Sequence, residues 1–139
     1  MADVPLFVDT NVFLRFLTGD HARMAADSRR LIERAAAGEL LLQTSHLALA
    51  EIVWTLDTQY GVSREGIAGM LRDLLGLQSL RVDQKEMLRE VVDLYESTNV
   101  DFIDAYHAVD VRRRGIDRVV SYDKDFDRLG VSRVEPAGV

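Results

Sequence analysis

Short, unbroken apolar runs alternate along this chain with longer stretches whose apolar residues recur at helical spacing. The first run, Val4–Val8, is rich in Val and Phe and too short for a helix, so it reads as a strand buried on both faces. Val12–Thr18 reads as a short apolar helix closed by the turn pair Gly19-Asp20. From Ala22 to Ala37, Met24, Ser28, Leu31, Ile32 and Ala35 share one face, with Arg29, Arg30, Glu33 and Arg34 outside it and Gly38 as the C-cap. Leu40–Leu42 is a second strand, and Ser45–Tyr60 a helix ended by Gly61. That helix is apolar nearly all round, through Leu47–Ala50 and Ile52–Trp54, which marks it as buried, with Trp54, Leu56 and Tyr60 in the core. A helix over Ser63–Leu75 and a strand over Leu80–Val82 follow. Asp83 then caps a helix reaching Ser97, with Glu86 placed as in a capping box. Val100–Arg114 is a last helix, ended by Gly115, and strands at Arg118–Tyr122 and Val131–Val134 follow it. Strands alternating with helices predict a parallel sheet covered by helices on both faces. No repeat, low-complexity tract or linker interrupts the pattern, so residues 1–139 read as one domain.

Composition changes this picture little and narrows the chemistry more. A hydrophobic content of 47% with 29% charged residues is that of a globular chain with a real core. The lack of cysteine excludes a disulfide scaffold, a thiolate zinc site and a cysteine nucleophile. No apolar stretch approaches the ~20 residues that span a bilayer, and the first residues do not form a basic-then-apolar leader. The expectation is a cytoplasmic protein with no membrane partner. A net charge of −6 disfavours broad electrostatic binding of nucleic acid, yet leaves open a phosphodiester site in which a metal neutralises local acids.

Four acids stand out by position. Asp9 follows the first strand and Asp123 the fourth, so both fall at strand carboxyl ends, the edge of a parallel sheet where ligands bind. Asp104 lies near the start of a helix, at the same edge, and Glu51 in the second turn of the helix after the second strand. A Glu in so apolar a helix needs a partner: a metal, a polar cleft, or a cation such as Arg15 or Arg29. Topology brings all four to one rim, where they repel one another and call for protons or a cation; hard oxygen ligands select Mg²⁺ or Mn²⁺. Taken singly, each acid also has a plain structural role: Asp9 as an N-cap, Asp101 and Asp104 at a helix start, Asp123 in a turn. Asp123-Lys124-Asp125 does not open a calcium loop, because Arg128 and Val134 stand where such a loop needs Gly and Glu. An aspartyl phosphotransferase would want an acid where Asn11 stands. His21, His46 and His107 match no zinc spacing, and the run Arg112–Arg114 sits where cations favour a helix end. Arg15, one turn after Asn11, is placed to contact a phosphate.

The blocks Val8-Asp9-Thr10-Asn11-Val12, Glu51 in its apolar helix, Asp101-Phe102-Ile103-Asp104-Ala105-Tyr106-His107-Ala108 and Ser121-Tyr122-Asp123-Lys124-Asp125-Phe126, in that order, resemble the PIN domain nucleases. More narrowly they resemble the VapC-type toxin ribonucleases of bacterial toxin–antitoxin pairs. The resemblance implies a three-layer α/β/α PIN-like fold with a central, roughly five-stranded parallel sheet. It implies Mg²⁺- or Mn²⁺-dependent hydrolysis of RNA, with Asp9, Glu51, Asp104 and Asp123 as the catalytic metal site. Asn11 and Ser121 would support that site, and Asp101 and Asp125 would replace or assist their neighbours. It further implies a homodimer and a VapB-like antitoxin whose tail blocks the acidic cleft. Two other readings fit the same residues: a catalytically silent domain that binds metal or a partner, and a PIN nuclease of RNA maturation with no toxin role.

Overall fold

A computed structural model describes residues 4–139. Met1, Ala2 and Asp3, which begin the stretch read as lacking a leader, lie outside the described residues. The chain divides into two compact units, one ending at Asp83 and the other running from Gln84 to Val139.

In the first unit, strands β1 (Leu6–Phe7), β2 (Leu42–Gln43) and β3 (Leu80–Arg81) form a parallel sheet in the order β1-β2-β3. Leu6 pairs with Leu42 and Leu42 with Leu80. The ladders run a residue further at the carboxyl ends, where the Val8 amide donates to the Gln43 carbonyl (2.8 Å) and the Thr44 amide to that of Arg81 (3.0 Å). Helices α1 (Thr10–Thr18), α2 (Ala22–Ala36), α3 (His46–Thr58) and α4 (Arg64–Leu75) make the crossovers. Asp9 stands at the N-cap of α1 in extended backbone, and Gly19 ends that helix at φ 68°, a left-handed conformation that a Cβ would strain. Ser45 caps α3 by accepting from the Ala48 amide, and Ser63 caps α4 by accepting from that of Gly66, both at 3.1 Å. Phe13, Leu42, Leu49, Ile52, Leu56, Ile67, Leu71, Leu75 and Leu80 are fully buried, each stabilising by about 1.5–3 kcal/mol.

Three expectations are corrected here. Leu6 and Phe7 are not buried on both faces: they are 50% and 64% exposed, because β1 is an end strand of its ladder, and only Val8 is buried. The buried face of α2 is Ala25, Ser28, Ile32 and Ala35, which leaves Met24 exposed. Helix α3 buries Leu49, Ile52, Val53 and Leu56 against α1 and α4, but Leu47 is 83% and Trp54 61% exposed. An all-apolar helix is buried only where neighbours surround it, and α3 is covered on one side.

In the second unit, α5 (Lys85–Ser97) packs on α6 (Phe102–Arg113), and β4 (Arg118–Val120) pairs in parallel with β5 (Ser132–Val134). A 3₁₀ turn, Lys124–Arg128, lies between the two strands in sequence. Tyr95 meets Phe102 edge to face, with ring centroids 5.7 Å apart, and so fixes the start of α6 against α5. Asp83 does not cap α5. The N-cap is Gln84, at φ 56° and without a side-chain cap bond, so Glu86 falls a position too early for the reciprocal bond of a capping box.

The α/β class and the parallel pairing are as expected. The expected central sheet of roughly five strands takes a different form: among the described residues, five strands of two or three residues, in a three-stranded and a two-stranded ladder. Such short strands give each ladder few bonds, and most of the buried apolar surface comes from helices. Among the described residues no helix is long and apolar enough to cross a membrane.

Candidate metal centre and active site

At the carboxyl ends of β1 and β2 the chain leaves one strand into α1 through Asp9 and the next into α3 through Ser45. The Thr44 hydroxyl, buried, donates to the Val8 carbonyl at 2.9 Å and fastens the two strand ends together. Between them opens a cleft of about 370 Å³ lined by Phe7, Asp9, Thr10, Ser45, Leu47, Ala48 and Glu51. The first two predicted acids therefore share one cleft, and both are exposed. Glu51 is not the buried acid the sequence implied, because it lies on the open side of α3 with Leu47 and Trp54. Neither Arg15 nor Arg29 is its partner among the described residues. Arg15 pairs with Asp20, whose other carboxylate oxygen accepts from the Tyr60 hydroxyl at 2.6 Å. The Tyr60 bond first, and Arg15 with it, hold the Asp20 carboxyl below the usual range, while the bond to Asp20, desolvation and the charge of that carboxylate push the Tyr60 phenol up. Asn11 and Arg15 line a neighbouring groove with Val12, Met24, Asp27 and Ser28, and neither lines the cleft that holds Asp9.

The second unit gathers its acids more tightly. Asp101 is the N-cap of α6 and Asp104 lies in its first turn, on a helix held by the Tyr95–Phe102 contact. After β4, the Ser121 hydroxyl accepts from the Asp123 amide, and one Asp123 carboxylate oxygen accepts from the Asp125 amide, each at 2.9 Å. These are the local turns that Ser and Asp favour, and they fold the segment so that both carboxylates are presented from one short loop. Arg133 on β5 braces that loop: its guanidinium donates to the Ser121 carbonyl and to Asp127, both at 3.0 Å, and to Glu135 at 3.3 Å. Arg128 pairs with Asp125 at 2.6 Å.

One oxygen each of Asp104, Asp123 and Asp125 lies within 4.8 Å of the others. Partial burial, and then the charges of Asp123 and Asp101, push the Asp104 carboxyl above its ordinary range; a hydrogen bond to Asp123 and the charge of Asp125 add to this. Crowded carboxylates with one partly desolvated member are the environment a hard divalent cation relieves, and an all-oxygen donor set fits Mg²⁺ or Mn²⁺.

Of the nine residues picked from the sequence, the structure groups Asp9 with Glu51, and Asp104 with Asp123, Asp125 and Asp101. Ser121 supports the second group directly. Sequence reasoning missed Thr10 and Ser45 beside Asp9, and Arg133 behind Asp123. Ser45 was legible only as a cap. Arg133 carries no local signal, since its role depends on β5 lying beside β4.

The PIN domain family profile matches residues 6–131, a span that takes in all four predicted acids. A VapC ribonuclease of Aquifex aeolicus (strain VF5) is 30% identical over 129 residues, which are 93% of this chain and 95% of that protein.

Proposed function

Since this chain belongs to the PIN domain family, and to the VapC ribonuclease group within it, we propose that it is a Mg²⁺- or Mn²⁺-dependent endoribonuclease, acting in the cytoplasm as the toxin of a type II toxin–antitoxin pair. The observation that carries this reading is the crowding of Asp104, Asp123 and Asp125 around a partly buried carboxyl. By the family resemblance Asp9, Glu51, Asp104 and Asp123 would be the cation's ligands, with Asp125 and Asp101 assisting Asp123 and Asp104. When bound, the cation supplies neutralising charge at a phosphodiester oxygen and a lowered pKa for attacking water. The chain's own contribution is preorganisation. The Thr44–Val8 bond fixes the exit of β1 into Asp9, and the Ser121, Arg133 and Asp125 contacts fix Asp123, so the ligands need little rearrangement when RNA arrives.

The same reading accounts for RNA binding by a protein of net charge −6: local neutralisation at the site replaces a broad basic surface. It also gives a purpose to the exposed apolar residues Leu6, Phe7, Leu47 and Trp54, which a second copy of the chain and a VapB-like antitoxin would cover. A basic antitoxin side chain entering the acidic site would inhibit by charge complementarity.

The test is cleavage of single-stranded RNA by the purified protein with Mg²⁺, with Mn²⁺ and with chelator. We expect cleavage that chelation abolishes and that Asp9→Asn and Asp104→Asn each remove while the fold persists. Cleavage that survives chelation, or full activity in either variant, overturns the assignment. Light scattering of the free protein and of the protein co-expressed with the product of a neighbouring small reading frame tests the dimer and the antitoxin.

A further inference from the structure

The loop that carries Asp123 also carries a tyrosine with no structural occupation. Tyr122 sits between Ser121 and Asp123 and is 72% exposed. Tyrosine rings ordinarily bury most of their area, and leaving one in water forgoes that stabilisation. The exposure is not that of a loose loop tip. The residue before Tyr122 is held by Arg133 and the residue after it by the Ser121 hydroxyl and the Asp125 amide, so the ring projects from a braced segment. On the far side of Asp123 lies Lys124, exposed and in no ion pair among the described residues. Its neighbouring cations are committed elsewhere, Arg128 to Asp125 and Arg133 to Asp127 and Glu135. An aromatic face and an uncommitted ammonium thus flank one of the carboxylates of the acidic cluster.

We propose that Tyr122 and Lys124 form a nucleotide-holding subsite for single-stranded RNA, the Tyr122 ring stacking on an unpaired base and the Lys124 ammonium meeting a backbone phosphate. This rests on the ribonuclease reading above and deepens it. Every base presents a π-face, so aromatic platforms hold single strands with little sequence preference, while a paired base inside a duplex has no free face to offer.

The probe is a random-sequence pool of single-stranded RNA oligonucleotides, from which one cleaved member is taken for kinetics with Mg²⁺ or Mn²⁺. Tyr122→Ala is expected to raise KM about five- to a hundred-fold, the scale of losing one base–aromatic stack, with kcat nearly held. Tyr122→Phe keeps the ring and is expected to keep KM. Replacing the stacked base in the oligonucleotide by an abasic residue should raise KM for the wild type and leave Tyr122→Ala unaffected. Lys124→Gln is expected to weaken binding across sequences and to lower the slope of log affinity against log salt by about one. Melting temperature and its rise with Mg²⁺ are expected to be the same in all three variants as in the wild type. The subsite is overturned by a Tyr122→Ala enzyme with wild-type KM, by Tyr122→Phe losing as much as Tyr122→Ala, or by loss of the Mg²⁺-induced rise in Tyr122→Ala, which would make the ring a prop for Asp123. An unchanged salt slope in Lys124→Gln removes the phosphate contact. If the wild type cuts no single-stranded RNA at all, the ribonuclease reading itself fails and takes the subsite with it.

Discussion

The two units present their acids in opposite ways. In the first, Asp9 at the N-cap of α1 and Glu51 on α3 are exposed, around a cleft whose other walls include Phe7 and Leu47. In the second, Asp104, Asp123 and Asp125 crowd one another from a helix start and a hydrogen-bonded loop, and Asp104 is partly desolvated. An open pair of carboxylates has water to solvate it and no pressing need of a cation. A crowded set with one partly desolvated member repels itself without a cation, and relief of that repulsion contributes binding energy for a metal. The contrast teaches that equal importance in a family's chemistry does not mean equal electrostatic stress in the protein without its cation.

Replacing one acid from each region separates the two cases. Asp104→Asn and Asp9→Asn are both expected to lower RNA cleavage by at least about a hundred-fold, the scale of removing one preorganised electrostatic partner. Their effects on melting without metal should differ. Because the Asp104 carboxyl is held above its unfolded value of 3.8, its contribution to stability is full below that value and lost as pH rises through the folded one. At neutral pH the ionised form opposes folding, so Asp104→Asn should raise the melting temperature of the cation-free protein by a few degrees, and Asp9→Asn should not. Equal melting shifts in the two variants would erase the contrast.

Metal titration sharpens it further. At a hundred-fold excess over its dissociation constant a ligand of the folded state stabilises by about 2.7 kcal/mol, so Mg²⁺ should raise the wild-type melting temperature, and Asp104→Asn should abolish the rise. Behind the second region, Arg133→Met should weaken Mg²⁺ affinity about tenfold or more, as loss of a group that orients a ligand does. Isothermal titration would show it. Thr44→Val, which removes the corresponding fastening in the first region, should cost about 1 kcal/mol in denaturant unfolding and weaken the Mg²⁺ response less than Arg133→Met does.

The smallest effect belongs to Tyr60→Phe, away from both acid groups. Asp20 is depressed by its bonds to Tyr60 and Arg15, so its contribution is present above 3.8 and lost as pH falls through the lower folded value. Tyr60 is raised above 10.0, so its contribution is present below that and lost as pH climbs through the folded value. The variant should therefore lose that small contribution across the range between 3.8 and 10.0, pH 7 included, and converge on the wild type at both extremes, as read by melting across pH.

Much of this was legible in the residue order. Helix ends announced themselves through Ser45, Ser63 and Gly19, whose chemistry acts within a turn. Asp9, Asp104 and Asp123 fell at element boundaries that local pattern locates well. What misled was the apolar count in α3. The pattern gives the hydrophobicity of a helix but not how many neighbours cover it, so Trp54 read as core and Glu51 as buried when both are exposed. The capping box at Asp83 failed for a related reason, since backbone at Gln84 turns left-handed and shifts the helix start. Whether Asp125 joins Asp123 in the cluster was closed to sequence alone. It turns on the bond from the Asp125 amide to Asp123, which brings that second carboxylate round to the first.

The brevity of the strands bears on how the molecule comes to be made. In the first unit Leu6 must find Leu42, and Leu42 must find Leu80, across crossovers far longer than the dozen or so residues a parallel pair needs at least. Each such meeting closes a long loop and returns only a few ladder bonds, whereas α1 and α2 are neighbours in sequence and meet across a short turn. The sheet therefore belongs to the late part of folding, after the helices have docked. The strand exits that carry Asp9 and Ser45 are then set last, so a nascent chain passes through most of its assembly before the cleft between them exists.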